Sequence, residues 1–185
     1  MKLIQRGFTL VELLIVVIIL AILAAIVIPQ FSSATVDAQE SALDSNLSAL
    51  RSAIELYKAQ HGGKYPGDVI TAATCTGGTK GLGTAGLPQL FIDQMTMYTD
   101  ASGGTCDRSV TAEKMVLGPY LRKGVPAEPI NNKGSIAAEI VMQLTGAPLP
   151  VPATGANGWA YDTKSGQIYM NSPANDSKTK AYSTH

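Results

Sequence analysis

A long apolar run near the N-terminus restricts this chain more than any other feature of its sequence. The twenty-one residues from Phe8 to Ile28 include two polar side chains, Thr9 and Glu12, and Glu12 is the one charged residue among them. A helix rises about 1.5 Å per residue, so the run spans roughly 30 Å, the thickness of the hydrocarbon core of a bilayer. The sequence therefore predicts a helix that spans a membrane, or that passes through one before its apolar surface is buried elsewhere.

The charges that flank the apolar run indicate how it is oriented. Lys2 and Arg6 precede the run, and after Glu12 the next charged residue is Asp37. Because positive residues beside a membrane span favour the cytoplasmic side, we expect the N-terminus in the cytoplasm and residues 30–185 outside. An ordinary cleaved secretory signal is disfavoured, since it has an apolar core of about 7–15 residues with a small-residue cleavage site after it.

The sequence predicts that the helix continues past Pro29, where we expect a kink because proline interrupts the backbone hydrogen bonds. Apolar residues recur there at spacings of three, four and seven, namely Val36, Leu43, Leu47, Leu50, Ile54 and Tyr57. We expect this stripe to pack against the protein's own globular domain. A two-stranded coiled coil is disfavoured because Glu40 and His61 interrupt the register. The helix is expected to end at about His61, before Gly62 and Gly63.

Short elements separated by turns predict a small head over residues 62–171. The expected elements are a loop over 62–86, a helix over 87–98, a strand over 113–121, a strand rather than a short helix over 136–144 and a hairpin over 158–171. The polar tail over residues 172–185 is expected to be mobile. The predicted fold class is therefore α+β. A long N-terminal helix, apolar and transmembrane over 8–29 and amphipathic over 30–61, packs on a small antiparallel β-sheet.

The N-terminus also carries a specific motif. A short basic leader ends at Gly7, Phe8 follows it, Glu12 stands five residues into the remaining chain, and Pro29 closes the apolar run. This pattern resembles the class III signal and helix start of type IV pilins and type II secretion pseudopilins, over about the first sixty residues. The resemblance implies that a prepilin peptidase removes residues 1–7 by cutting between Gly7 and Phe8, and that it methylates the new amine of Phe8.

Glu12 is costly in apolar surroundings and needs a partner. A charged side chain near the middle of a membrane helix costs roughly 2–3 kcal/mol even on lenient insertion scales, and such residues usually pair. Once the leader is removed, the amine of Phe8 becomes a second stranded charge. Pairing within one subunit is geometrically feasible. Pairing between subunits would in addition fix the axial register of an arriving subunit, and the resemblance implies this role for Glu12 and Phe8.

The two cysteines, Cys75 and Cys106, lie in turn-rich segments predicted to be outside the cytoplasm. Cysteines in an oxidising compartment most often pair, so we expect a disulfide, with two unrelated thiols as the alternative. Two cysteines and two histidines, one of them at the end of a polar tail, do not suggest a zinc site. Major pseudopilins often carry calcium in an acidic loop near the C-terminus, but no second acid stands near Asp176. We expect no metal and no cofactor.

Composition and motifs disfavour several function classes. The formal net charge is zero, from 14 basic and 14 acidic residues, and no long basic stretch suggests a nucleic-acid partner. No serine, cysteine or carboxylate pair has the pattern of a nucleophile or of an acid–base dyad. A histidine at a helix C-terminus, such as His61, more often complements the helix dipole than acts as a base. We therefore expect that the chain is not an enzyme.

The resemblance implies a structural subunit of a type IV pilus-like extracellular filament, a homo-oligomer built by packing helices. Such a subunit would be stored in the bacterial inner membrane until an assembly platform there extracts it. The first alternative is a major-type pseudopilin of a type II secretion system, whose filament is periplasmic. The second alternative, from a different class, is a membrane-anchored ectodomain with a binding function.

Overall fold

The computed structural model describes residues 8–69, 74–146, 149 and 158–185. The chain divides into two compact units, one within residues 1–38 and one over residues 39–185, and each is described by itself. The predicted leader, with Gly7 at its end, lies outside the described residues.

In the first unit, the apolar run forms the beginning of a long helix, α1 (Leu10–Gln60). The large apolar side chains from Phe8 to Ile28 are all exposed. Within the part of the chain that the structure describes, α1 is the one helix long and apolar enough to cross a membrane, judged by length and composition. Helical structure is continuous across Pro29, and the kink expected there stays a prediction.

In the second unit, the later part of α1 forms one side of the hydrophobic core. The buried stripe consists of residues exposed by no more than 2%, namely Leu43, Leu47, Leu50, Ile54 and Tyr57. Burial of each such side chain contributes about 1.5–3 kcal/mol, so the stripe is a major source of stability for this unit. The prediction that the stripe packs on the protein's own head is confirmed. Val36, the first residue of the predicted stripe, belongs to the first unit and is exposed.

Two glycines end α1 as the sequence predicted. The backbone N–H of Gly63 donates to the carbonyl of Lys58 at 2.9 Å, a bond that closes the last turn of the helix. Gly62 takes the left-handed conformation that this ending requires, with φ of 64°. Glycine adopts that conformation without the steric cost that a Cβ atom would add.

The elements that follow α1 are short. They are the helix α2 (Pro88–Thr96), the strands β1 (Tyr98–Thr99), β2 (Thr105–Cys106), β3 (Ile140–Gln143), β4 (Trp159–Asp162) and β5 (Ile168–Met170), and 3-10 turns at Thr111–Glu113, Ala137–Glu139 and Tyr182–Thr184. β1 pairs with β2, and a second sheet has the order β3-β4-β5. The predicted helix over 87–98 and the predicted hairpin over 158–171 are confirmed by α2 and by the antiparallel β4–β5 pair.

The sheets differ from the expected antiparallel arrangement in one pair. β3 confirms the later part of the strand predicted over 136–144, whereas Ala137–Glu139 form a 3-10 turn. β3 runs parallel to β4. Parallel neighbours need a long connection to bring the chain back, and residues 144–158 provide one. The small head is therefore a mixed α+β structure, with antiparallel pairs at β1–β2 and β4–β5.

The predicted strand over 113–121 is wrong. This segment makes only isolated bridges, which pair Met115 with Val110 and Leu117 with Thr99. Two backbone features interrupt it: Lys114 and Gly118 both have positive φ, at 58° and 70°. Pro119 then follows without a backbone N–H, so a continuous strand cannot form through this segment.

Aromatic side chains from the hairpin complete the core. Trp159 and Tyr161 on β4 are fully buried. The indole N–H of Trp159 donates to the carbonyl of Pro126 at 2.8 Å, and the Tyr161 hydroxyl donates to that of Pro66 at 2.9 Å. Tyr169 of β5 pairs with Ala160 of β4, on the face of the sheet opposite to that of Trp159 and Tyr161, and is half-buried. The indole N–H of Trp159 and the hydroxyl of Tyr161 therefore both have hydrogen-bond partners, as buried polar groups generally do.

The tail, residues 172–185, corrects a further expectation. We expected it to be mobile, but it packs against α1 within the second unit. Tyr182 is buried, and Ser177 donates to the carboxylate of Glu40. Residues 173–175 and 177–180 remain exposed, but the tail is attached because α1 offers polar partners at matching positions.

The closeness of Gly134 to the Trp159 ring gives a testable prediction. A Cβ atom on Gly134 would lie 2.3 Å from a ring carbon of Trp159, whereas one on Gly124 would meet nothing within 4 Å. Both glycines have positive φ, 102° and 86°, so they share the backbone cost of a substitution. We expect Gly124→Ala to lower the free energy of unfolding by about 1–2 kcal/mol. Gly134→Ala should lower it by about 1–3 kcal/mol more, because the Trp159 ring must shift.

Denaturant titration of the full mature chain in detergent measures both variants. Equal losses in the two variants would contradict the tight packing of Trp159 over Gly134.

Candidate functional site

The first turn of α1 brings Thr9 and Glu12 together. Oε2 of Glu12 accepts hydrogen bonds from the backbone N–H of Thr9 at 2.9 Å and from its hydroxyl at 2.7 Å. In return, the backbone N–H of Glu12 donates to the Thr9 hydroxyl oxygen at 3.2 Å. Since the helix begins at Leu10, this is a reciprocal capping box at its N-terminus. Thr9 was not predicted to hold Glu12, although the spacing Thr-x-x-Glu is the sequence signal for this motif.

The capping box satisfies hydrogen bonds of Glu12 but leaves its charge uncompensated. The helix dipole favours a negative charge in the first turn, which lowers the cost of the carboxylate. The sequence has no lysine or arginine between Phe8 and Leu50, so no side chain of this segment neutralises it. Once residues 1–7 are removed, a cation that pairs with Glu12 would have to come from outside the side chains of residues 8–50, for example from a main-chain amine or from another subunit.

The surroundings of Glu12 are apolar and open. Phe8 is 81% exposed, and Leu10, Val11 and Leu13 are exposed as well. A surface of this kind is stable only in lipid or against other apolar helices. The site thus combines a broad apolar face with one carboxylate that has no cationic side chain among residues 8–50 of its own chain.

The second predicted site is the cysteine pair, and it is confirmed. Cys75 and Cys106 form a disulfide, with their Cα atoms 5.5 Å apart. Cys106 lies in β2 and is fully buried. The segment after Cys75 is tied further to this region, because the backbone N–H of Asp107 donates to the Thr79 carbonyl at 3.0 Å. The disulfide therefore joins the glycine-rich loop to the β1–β2 pair.

The disulfide also bears on metal binding. Within the described residues, one group of potential ligands clusters closely, and it consists of Cys75, Cys106 and Asp107. Metal-binding cysteines coordinate as thiolates, whereas both sulfurs here are bonded to each other. One exposed carboxylate remains, which is too little for a metal site.

His61 is placed for packing rather than for acid–base chemistry. Its ring stacks on Tyr57 with centroids 3.7 Å apart. Nδ1 lies 2.8 Å from the Tyr57 carbonyl, and Nε2 lies 3.1 Å from the Thr99 hydroxyl oxygen. A carbonyl only accepts, so Nδ1 carries the proton and Nε2 accepts from Thr99. Burial lowers the pKa of His61, so the ring is neutral and both of its nitrogens are engaged.

Comparison with known proteins assigns the N-terminal segment. Residues 3–28 match the family described as the prokaryotic N-terminal methylation motif. The type IV major fimbrial protein FimA of Dichelobacter nodosus is 51% identical over 55 residues, which are 30% of this chain and 35% of that protein. The type II secretion system core protein G of Pseudomonas aeruginosa is 43% identical over 54 residues, or 29% of this chain and 38% of that protein.

The N-terminal segment of the chain is thus similar to those of type IV fimbrial proteins and of a type II secretion system protein. A fimbrial protein of Neisseria meningitidis serogroup B is 38% identical over 76 residues, which are 41% of this chain and 44% of that protein. The chain thus matches less than half the length of each of these pilins and pseudopilins. No solved structure matches it significantly. The matched segment contains Gly7, Phe8 and Glu12, whereas both cysteines lie outside residues 3–28.

The disulfide of this pilin-like chain should be a main source of stability for its head. We expect the double variant Cys75→Ser with Cys106→Ser to lower the free energy of unfolding by about 3–4 kcal/mol, because the bond closes a long loop in the unfolded chain. Denaturant titration of the full chain measures this loss. The wild-type chain under a reducing agent is the matched control and should behave as the double variant does.

Non-reducing peptide mapping gives an independent check. Recovery of free thiols at both positions from natively exported protein would contradict the disulfide.

Proposed function

We propose that this chain is the structural subunit of a type IV pilus-like extracellular filament. The observation that supports this most strongly is the exposed apolar face of α1, which carries one carboxylate, Glu12, in its first turn. A membrane covers such a face before assembly, and the helices of neighbouring subunits cover it afterwards. The filament would be a homo-oligomer held together along this helix.

A second function in the same class is that of a major-type pseudopilin in a type II secretion system. The similarity to the type II secretion system core protein G favours it. Both functions use the same helix and differ in where the filament lies, outside the cell or in the periplasm. Electron micrographs of sheared cell-surface material would separate a surface filament from the periplasmic one. They would also separate a filament from a membrane-anchored ectodomain.

Storage and processing form part of this proposal. The subunit would sit in the bacterial inner membrane with its N-terminus in the cytoplasm, because Lys2 and Arg6 precede the span. A prepilin peptidase would cut between Gly7 and Phe8 and methylate the amine of Phe8. An inner-membrane assembly platform would then extract the subunit. This role requires no catalytic residue, cofactor, metal or nucleic acid.

The processing step predicts the behaviour of a Gly7 variant. A peptidase that brings the backbone close to its active site favours glycine, since any side chain would obstruct the approach. We expect Gly7→Val to leave the full-length precursor in the membrane, detected by its mass and by immunoblot of membrane fractions. Mass spectrometry of the mature wild-type chain should find Phe8 as its first residue. A different first residue would overturn the processing proposal.

The charge of Glu12 supports an assembly role. Thr9 supplies hydrogen bonds but no positive charge, and no lysine or arginine lies between Phe8 and Leu50. The amine of Phe8, freed by cleavage, is the cation that processing creates beside the same surface. A pair between Glu12 of an arriving subunit and the Phe8 amine of its neighbour would fix one axial register. Apolar side chains alone would allow the helices to slide.

Glu12→Ala therefore should be inserted and cleaved, yet should enter filaments poorly when no wild-type subunit is present. Leu10→Ala is a matched control, because it truncates an exposed side chain of the same helical turn without removing a charge. We expect the control to assemble close to normally. The measurements are filament yield in sheared fractions and filament symmetry in micrographs. Normal filaments from Glu12→Ala would refute the register role.

A further inference from the structure

A cleft lies at the C-terminal end of α1, within the second unit. It has a volume of about 270 Å³, and three segments line it: the last turn of the helix, the chain that follows and the turn between β1 and β2. The lining residues that matter for its chemistry are Tyr57, His61, Lys64, Tyr65, Val69 and Gly103. Pockets that bind small molecules begin at roughly 300 Å³, so this cleft suits a ligand no larger than one ring.

The Tyr57 hydroxyl is a polar group inside the cleft. The residue is 2% exposed, and a Cβ atom on Gly103 would lie 3.1 Å from the hydroxyl oxygen. Among the described residues, no protein atom forms a hydrogen bond with this hydroxyl, and the oxygen is not fully enclosed. A buried hydroxyl without a partner is unfavourable, so a ligand in the cleft that supplies a partner gains a hydrogen bond there.

Tyr57 and His61 are both uncharged in the cleft. Burial, and after it the nearby Tyr120 and Asp100, raises the pKa of Tyr57, so its hydroxyl keeps the proton and can donate a hydrogen bond to a ligand. The ring of His61 is neutral, and its two nitrogens are engaged by the Tyr57 carbonyl and the Thr99 hydroxyl. His61 thus contributes ring surface to the cleft, and Tyr57 contributes the hydrogen-bonding group.

The charges near the cleft oppose one another. Lys64 is exposed, and among the described lining residues it is the one with a charged side chain. The carboxylate of Asp100 stands in the β1–β2 turn, where it accepts the backbone N–H groups of Ser102 at 2.7 Å and Gly104 at 3.0 Å. The C-terminal end of α1 adds a partial negative charge. An anion would be attracted by Lys64 but repelled by Asp100 and the helix end, and a cation would meet the reverse. A neutral ligand avoids both repulsions.

We propose that this cleft binds a neutral sugar ring. Sugar hydroxyls both donate and accept, so one accepts from the Tyr57 hydroxyl while another accepts from the Lys64 ammonium. The C–H groups of the ring contact the apolar surfaces of Tyr65 and Val69, which are both half-buried. The site lies within the second unit and uses no part of the apolar run of α1, so it stands or falls independently of filament assembly.

Saturation-transfer NMR titrations of the full mature chain test the proposal. The micelles are dodecylphosphocholine, because a detergent with a sugar head group would compete, and micelles without protein serve as the blank. The probes are glucose, galactose and N-acetylglucosamine. We expect saturable binding of at least one of them in the millimolar range, since two hydrogen bonds and a small apolar contact support no more.

Analogues of the best-binding sugar test the charge argument and the source of the ring. Its uronic acid carries a carboxylate and its 2-amino form an ammonium, and each should bind more weakly than the neutral sugar. The ring belongs either to a free monosaccharide or to the end of a chain, and a trisaccharide of the same sugar separates the two. Binding at least as tight as that of the monosaccharide indicates a chain end, and weaker binding indicates the free sugar.

Three variants test the roles of the side chains. Tyr57→Phe keeps the ring, including its stacking on His61, and removes only the hydroxyl. We expect sugar binding to weaken about threefold to tenfold, as for the loss of one hydrogen bond. Tyr120→Phe is the matched control, because its hydroxyl donates to Oε1 of Gln60 at 2.7 Å outside the cleft, and it should bind as the wild type does. Lys64→Gln removes the charge but keeps a donor, so binding of the neutral sugar should change little.

Hydrogen exchange in the wild-type chain locates the site without any substitution. The sugar should increase the protection of amides in peptides over residues 61–69 and 101–104, while the amides of β4 stay unchanged as the reference. This measurement decides the proposal even where Tyr57→Phe lowers the stability of the head.

Each result decides the proposal. Absence of saturable binding by every neutral sugar would overturn it, as would binding by a folded Tyr57→Phe that is as tight as in the wild type. Sugar-induced protection that appears only away from both segments would also overturn it. Tighter binding of the uronic acid that is lost in Lys64→Gln would make the cleft an anion site and would equally refute it.

Discussion

The apolar side chains of α1 must leave water, and the rest of the structure depends on how they do so. Along residues 8–28 they face outward on every side of the helix, so no surface of the first unit itself covers them. Along the second half of the helix the apolar residues narrow to one stripe, and the head covers that stripe. The apolar surface of residues 8–28 therefore needs lipid or other molecules to cover it, whereas the later stripe is covered by the protein's own head.

The head is built as a cover for the stripe. α2 and the β3-β4-β5 sheet contribute Phe91, Met95, Trp159 and Tyr161 to the same core as the α1 residues. Two polar groups that this packing buries, the Trp159 indole and the Tyr161 hydroxyl, both donate to loop carbonyls. The loops carry little regular structure, and the disulfide joins the loop at Cys75 to the short strand β2.

Three carboxylates on α1 have different hydrogen-bond or ion-pair partners. Glu12 receives its hydrogen bonds from Thr9 in the same turn, which supplies no positive charge. Glu40 stands at a position that interrupts the apolar stripe, yet it is buried because the tail supplies Ser177 and Tyr182 as partners. Asp44 remains partly in solvent and faces His185. Each acid thus marks a place where α1 meets another segment or is available to meet another molecule.

The sequence by itself determined α1, its ending at the glycine pair, the hairpin, α2 and the cysteine pairing. These features depend on local periodicity, on turn residues and on the presence of two cysteines in turn-rich segments, all of which are readable along the chain. The sequence also pointed to Glu12, because an acid within an apolar run is conspicuous without any structure. Only the structure revealed the Thr9 capping box, although its spacing was present in the sequence. The parallel pairing of β3, the failure of residues 113–121 to form a strand and the attachment of the tail were decided by tertiary contacts. Contacts such as Ser177 with Glu40 join residues more than a hundred positions apart, and local patterns carry no information about which distant polar group will supply the partner.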